Sequence, residues 1–378
     1  MVQVTRRRAI TGVAACAVAA PFVNRNAYAF AGAPRRTYSK RAVDLVRQSV
    51  VIDMLAPLKI EATPAFFTAP LSAKDTEEFR SSGITAFHHA FGIGGPTAHE
   101  QALAYLAIWG NYVARNTQVF VGVDKAADIV RAKAEGKCAV IMGLQNADEF
   151  DKVADVKEFY QIGLRCAQLT YNSQNRIGSG STDRVDGGVS DYGESIVKAM
   201  NEVGMLVDVS HSGDRTTLDA IALSTKPIAI THSNCRALIN HPRVKTDEAI
   251  RALGAKGGVM GITGVRNFVT AKEPTTLGSI VDHIDHVVKL VGIDHVGIGT
   301  DSDLNGYDDV SPAMNKMLRG AYKDSYAFRE KIDVDGFDHP RKMFDLTEEL
   351  IRRGYSDANI QAVLGGNFQR LLTSTWGG

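Results

Sequence analysis

Little cysteine, no surplus of either charge and no long apolar run past the first two dozen residues are what this chain lacks. Each lack excludes something. Four cysteines in 378 residues, none in C-x-x-C spacing, argue against a thiolate metal cluster or a disulfide-stapled scaffold. With 43 basic residues against 42 acidic ones, nothing marks a nucleic-acid partner or an anionic membrane surface. No later stretch reaches the ~18–20 apolar residues of a membrane span. Internal repeats and low-complexity tracts are missing too. What is present, 44% hydrophobic and 22% charged residues, allows a sizeable core. The length is ordinary for one α/β barrel.

Residues 1–29 read as a targeting segment. Thr5-Arg6-Arg7-Arg8-Ala9-Ile10 has the form of a twin-arginine signal, followed by a modest apolar stretch from Ile10 to Val23. Ala27-Tyr28-Ala29 then offers a small-x-small cleavage site. The expectation is export to the periplasm in the folded state. Val13-Ala14-Ala15-Cys16 has the look of a lipoprotein box, but too few apolar residues precede Cys16 for lipidation. Residues 30–44 are a lead-in, and 45–378 form the folded domain. Of the cysteines left, Cys138 and Cys166 fall inside predicted strands, so these and Cys235 are expected as free thiols.

Eight hydrophobic runs read as strands: Val50–Leu55, Ile84–His89, Cys138–Gln145, Leu164–Tyr171, Met205–His211, Pro227–His232, Gly258–Gly264 and His295–Asp301. Helical periodicity between them spans Glu100–Asn116, Asp191–Val203, Arg215–Leu223, Thr246–Ala255 and Leu277–Val291, with Asp191 placed to cap its helix. Alternating strands and helices imply parallel pairing with right-handed crossovers. Eight units imply a closed (β/α)8 TIM barrel rather than an open sheet. Asn172–Ser190 and Asn305–Asp338 break the rhythm, as a loop over the mouth and an aromatic-bearing insertion beside the pocket. Side chains at C-terminal strand ends converge on one mouth. His211, His232 and Asp301 each close a run, and two imidazoles with a carboxylate suit a divalent metal. His283 and His286 lie on a covering helix and read as structural, and Asp303 as a loop-shaping residue.

Several segments together resemble the renal (membrane) dipeptidase family of the amidohydrolase superfamily. They are Gln168-Leu-Thr-Tyr-Asn-Ser-Gln-Asn-Arg-Ile-Gly, Gly204-Met-Leu-Val-Asp-Val-Ser-His, Thr231-His-Ser-Asn-Cys-Arg-Ala-Leu, His241-Pro-Arg, His295-Val-Gly-Ile-Gly-Thr-Asp-Ser-Asp and Leu364-Gly-Gly-Asn-Phe-Gln-Arg. The resemblance covers about residues 45 to 375, in order. It implies two bridged zinc ions at a barrel mouth and cleavage of dipeptides, including some with a D-residue at the C-terminal side. His211 and His232 match the histidines of one metal, and Asp301 an aspartate of the other. Arg243 falls where the substrate carboxylate is held, a task suited to a bidentate guanidinium. His241 would set the loop presenting it.

The departures are as specific. A first strand that should end in His-x-Asp reads Asp53-Met-Leu-Ala-Pro, placing Leu55 and Pro57 at the ligand positions. Gln145 replaces the bridging glutamate, and a neutral amide bridges two cations poorly. Tyr171 replaces a histidine that contacts substrate, with Asn172 beside it. His88 and His89 end the neighbouring strand, and alternation lets only one face inward to stand in for the missing imidazole.

The expected protein is therefore an exported metallo-dipeptidase-like hydrolase. Gln145 and Asp301 assist the attacking water, and Arg243, Tyr171 and Asn172 contact a small peptide-like substrate. One Zn2+ is expected, with two or none left open, and the resemblance implies a homodimer. A metal-poor, non-hydrolytic periplasmic protein that binds or matures a peptide-like metabolite is the rival reading.

Overall fold

Nine parallel strands carry the architecture in a computed structural model that describes residues 36–376. They are β1 (Ile52–Asp53), β2 (Ala86–Phe91), β3 (Phe120–Gly122), β4 (Cys138–Leu144), β5 (Cys166–Gln168), β6 (Leu206–Asp208), β7 (Ala229–Ser233), β8 (Val259–Ile262) and β9 (Val296–Ile298). Eight of them close a barrel in the order β2-β1-β9-β8-β7-β6-β5-β4, sealed by pairing of β2 with β4. The expected (β/α)8 barrel is what the chain forms. The ninth strand, β3, pairs with the first half of β4 outside this ring. At three residues it is too short for periodicity to reveal.

Alternation along β4 shows how the core divides. Ala139 and Ile141 point inward and pack with Ile52, Leu206, Ala229 and Val259, whereas Val140 and Met142 face the helix layer. Phe368, Leu371 and Trp376 of the C-terminal helix Asn367–Trp376 belong to the inner cluster. The opposite end is the mouth.

The helices at Asp191–Val203 and Leu277–Val291 match their predicted bounds, but the first is capped by Ser190. Its hydroxyl accepts from Gly193 N, and Asp191 is the first helical residue instead. Helices at Ala126–Ala134, Asp155–Gln161 and Lys342–Arg352 add to those expected. The insertion Asn305–Asp338 holds a helix, Pro312–Gly320, and a short turn, Asp324–Tyr326. Cys138, Cys166 and Cys235 are buried free thiols. Among the described residues no helix is long and apolar enough to cross a membrane. The expected targeting segment, residues 1–29, lies outside the described residues.

Several strands are shorter than the hydrophobic runs that announce them. β6 stops at Asp208 and β9 at Ile298, so His211 and Asp301 each sit in a turn three residues past a strand end. Backbone released from the ladder can curl into the mouth. Asp301 and Asn172 both adopt φ of 60°, a left-handed conformation uncommon outside glycine and most tolerated by Asn and Asp.

Candidate metal centre

Two buried aspartates fasten the mouth by the same device. Asp208, at the end of β6, accepts from Ser210 N in its own turn and from Thr231 N on β7. Its other oxygen accepts from the Thr231 hydroxyl at 2.6 Å. Asp53, at the end of β1, accepts from Leu55 N and from Thr300 N and hydroxyl, at 2.8 and 2.7 Å. Each staple fixes a threonine immediately before a site residue, Thr231 before His232 and Thr300 before Asp301. Burial raises Asp53 to about 6, against the pull of its Thr300 hydrogen bonds.

The staple on β6 and β7 also decides which nitrogen of His232 carries hydrogen. The Thr231 hydroxyl spends its hydrogen on Asp208, so towards His232 Nδ1, 2.8 Å away, it accepts. His211 Nδ1 stands 2.7 Å from the carboxamide oxygen of Asn172, which also only accepts. Both rings therefore hold their hydrogen on Nδ1 and leave Nε2 bare. These two bare nitrogens face each other at 2.9 Å. Burial first, then the Arg243 guanidinium, push both imidazoles well below their usual range, so the rings stay neutral. Two lone pairs at that distance repel unless a cation shares them, and outer-shell acceptors on Nδ1 are the usual setting of ligating histidines. The donor set fits a metal.

His88 completes the pattern one layer deeper. Its Nδ1 donates to Met54 O at 2.7 Å, and its bare Nε2 is buried without a partner inside the barrel. The ring occupies space that Gly143 leaves open. A Cβ at 143 would lie 1.9 Å from Nε2. His89 is corrected as a candidate ligand, because alternation turns it out of the barrel. It accepts from Leu58 N and packs on Tyr105 and Trp109 of the helix Ala98–Arg115.

The other expected residues divide between pocket and frame. A cavity of about 260 Å³ opens at the mouth, with Gln145, His211 and Asp301 as its polar floor. Burial, reinforced by Asp53 and Asp208 and opposed by Arg243, raises Asp301 to about 7. Gln145 gives its amide hydrogen to Ala90 O, leaving its own oxygen for the cavity. Tyr171 stacks on His211 at 4.3 Å and pairs its hydroxyl with that of Tyr322. Asn172 serves His211 and does not line the cavity. Arg243 is also absent from the lining: it is buried, and its nitrogens donate to the carbonyls of Ser210 and His232. His241 does set that loop, accepting from Arg243 N and donating to Tyr326 O.

Asp303 shapes a loop through Ile60 N and Asn305 N, while His283 and His286 serve helix packing through Val269 O and Asp247. Lys245, which the sequence reading missed, ties down the His211 turn through Val209 O, Ser212 O and Thr217. The threonines before His232 and Asp301 were the available signal for the staples. Among the described residues, the one trio of His, Cys or acidic ligand atoms mutually within 4.8 Å is His99, Asp151 and Asp155, none of which lines the mouth cavity. There, His99 Nδ1, the nitrogen nearest the two carboxylates, donates to Glu149 O, so that atom offers no lone pair to a metal.

Comparison with known proteins agrees with this geometry. Membrane dipeptidase, peptidase family M19, matches residues 40–319. A dipeptidase of Clonostachys rogersoniana, verJ, is 33% identical over 63% of this chain and 56% of its own length. The chain thus spans about half the length of that relative, as it does for the dipeptidase tcpJ of Claviceps purpurea. An uncharacterised Klebsiella pneumoniae protein from the pqqA 5′ region is 34% identical over 66% of this chain and 87% of its own. Among solved structures, an amidohydrolase from Pseudomonas aeruginosa superposes with a TM-score of 0.76 at 30% identity, covering 89% of this chain and 99% of its own. With the family matched over most of its length and the barrel and paired histidines in place, the chain belongs to the membrane dipeptidase family.

Proposed function

We propose that this chain is an exported hydrolase that cleaves the amide bond of a small peptide-like substrate at a one-zinc site. The observation that carries the reading is the pair of bare imidazole nitrogens 2.9 Å apart, one on the floor-lining His211 and the other on the fully buried His232. Nitrogen donors in a buried, partly neutralised setting suit Zn2+. When bound, such a metal supplies a Lewis acid and lowers the pKa of water. Asp301, with its carboxyl poised at about 7, takes the proton of the attacking water and returns it to the leaving amine. The free oxygen of Gln145 orients that water, and Tyr171 closes one side of His211. His88 offers a further imidazole behind the site. Export rests on Arg6-Arg7 and the apolar stretch that follows, and a homodimer on the resemblance alone.

The test is metal content per chain, measured beside a His211→Ala variant, with dipeptide turnover before and after a chelator. About one zinc, lost in the variant, with turnover abolished by the chelator and restored by zinc, is the expected result. No metal in either protein after zinc is supplied would sink the mechanism. The rival, non-hydrolytic reading is favoured by one observation. No third His, Cys or acidic ligand atom completes a 4.8 Å trio with His211 and His232 among the described residues. Tight ligand binding without turnover would establish it.

A further inference from the structure

We propose that the pocket is built for a substrate with an aromatic or bulky apolar group and no free carboxylate: a carboxyl-free aromatic amide rather than a zwitterionic dipeptide. The bond cleaved rests on the hydrolytic reading above, whereas the recognition does not.

The cavity has two zones. Its floor is polar, and its wall is formed by Tyr171, Phe268, Tyr307, Tyr322, Tyr326 and Phe328. Those rings brace one another. Tyr322 and Tyr326 lie 4.4 Å apart, Phe328 is 5.2 and 5.1 Å from them, and Phe268 is 5.4 Å from Tyr326. A wall of interlocked rings is preorganised and presents π faces and edges to an apolar guest. The hydroxyls of Tyr171 and Tyr322 bond to each other. Tyr322, Tyr326 and Phe328 lie after residue 319, where the family match ends.

Charge points the same way. Among the described residues no lysine or arginine lines the cavity, and Asp301 is its one acidic residue. The family-matched cation, Arg243, is 1% exposed, with its two terminal nitrogens on backbone carbonyls and its Nε buried without a partner. Its guanidinium lies 5.4 Å from the ring of Phe268, behind the wall. A carboxylate bound inside would be desolvated, without a cation and beside a like charge. A capped or carboxyl-free amide meets none of these penalties.

The experiment is calorimetric titration of the zinc-supplied protein with alanyl-phenylalanine amide, alanyl-phenylalanine and alanyl-alanine amide, with turnover followed in parallel. The aromatic amide should bind at least about tenfold tighter than either of the others. Phe328→Ala, which leaves the Tyr171–Tyr322 pair intact, and Tyr322→Ala should each erase most of that preference without changing metal content. A free acid binding as tightly as its amide would show Arg243 swinging into the cavity and overturn the proposal. An alanine amide matching the aromatic one would overturn it equally. Selective binding of the aromatic amide without cleavage supports the recognition while refuting hydrolysis, and cleavage without selectivity does the reverse.

Discussion

The mouth of the barrel is fastened twice by the same device, and the two halves end in different chemistry. On one side Asp208 grips Thr231 and delivers His232, with Asn172 delivering His211. On the other, Asp53 grips Thr300 and delivers Asp301, but Leu55 and Pro57 stand where the family resemblance places a histidine and an aspartate. Frame and ligands are thus separable. The frame is the same on both sides because buried carboxylates and hydroxyls must keep their partners for the barrel to close. Ligands project into the cavity and are free to change without unmaking it. One half remains arranged for a metal, and the other supplies a lone carboxyl beside an aromatic wall.

Five substitutions test this division and the packing behind it, from the largest expected effect to the smallest. Asp301→Asn should lower turnover by about 10²- to 10⁴-fold, the usual contribution of a general base, while zinc content persists. Loss of the metal instead would make Asp301 a ligand and the two halves one site. Thr231→Val, which frees the His232 ring to choose its tautomer, should weaken zinc binding by about 10- to 100-fold. Thr300→Val should leave zinc affinity within about threefold, since it frames no ligand. Equal losses by competitive chelation would erase the contrast between the halves.

Gly143→Ala drives a methyl group into His88 and should cost about 1–3 kcal/mol of stability, seen as a lower denaturant midpoint. If zinc affinity also falls, His88 belongs to the metal-bearing half. The mildest change concerns pH. His89 is held down to about 3 by burial, with His88 adding to the effect. Its folded pKa lies below the unfolded one, so its contribution to stability is complete above about 6.5 and fades as pH falls towards 3. His89→Phe, which keeps an aromatic ring against Trp109, should flatten the stability–pH slope there by up to about 1.4 kcal/mol per pH unit. Thermal unfolding at pH 5 and pH 7 in both proteins would show it. An unchanged slope would mean that the ring is solvated or already charged.

The barrel and half of its site were legible in the sequence because burial leaves a local trace. Strands covered on both faces must be continuous apolar runs, as β4 is, and a histidine closing such a run announces the mouth. The helices Asp191–Val203 and Leu277–Val291 matched residue for residue because their periodicity ends at glycine, Gly204 and Gly292. The three-residue β3 left no trace, and strand ends ran long because hydrophobicity continues into turns that no longer pair.

What the sequence alone determined was therefore the barrel, its order and the residue types brought to its rim. Tertiary structure decided the rest, because the remaining questions are about direction and proton position rather than residue type. It turned His88 in and His89 out. It put hydrogen on Nδ1 of both paired histidines through Thr231 and Asn172. It withdrew Arg243 behind Phe268 and drew the rings of a distant insertion over the floor. Each of these outcomes depends on groups far apart in the chain, and no local pattern of residues encodes where such groups meet.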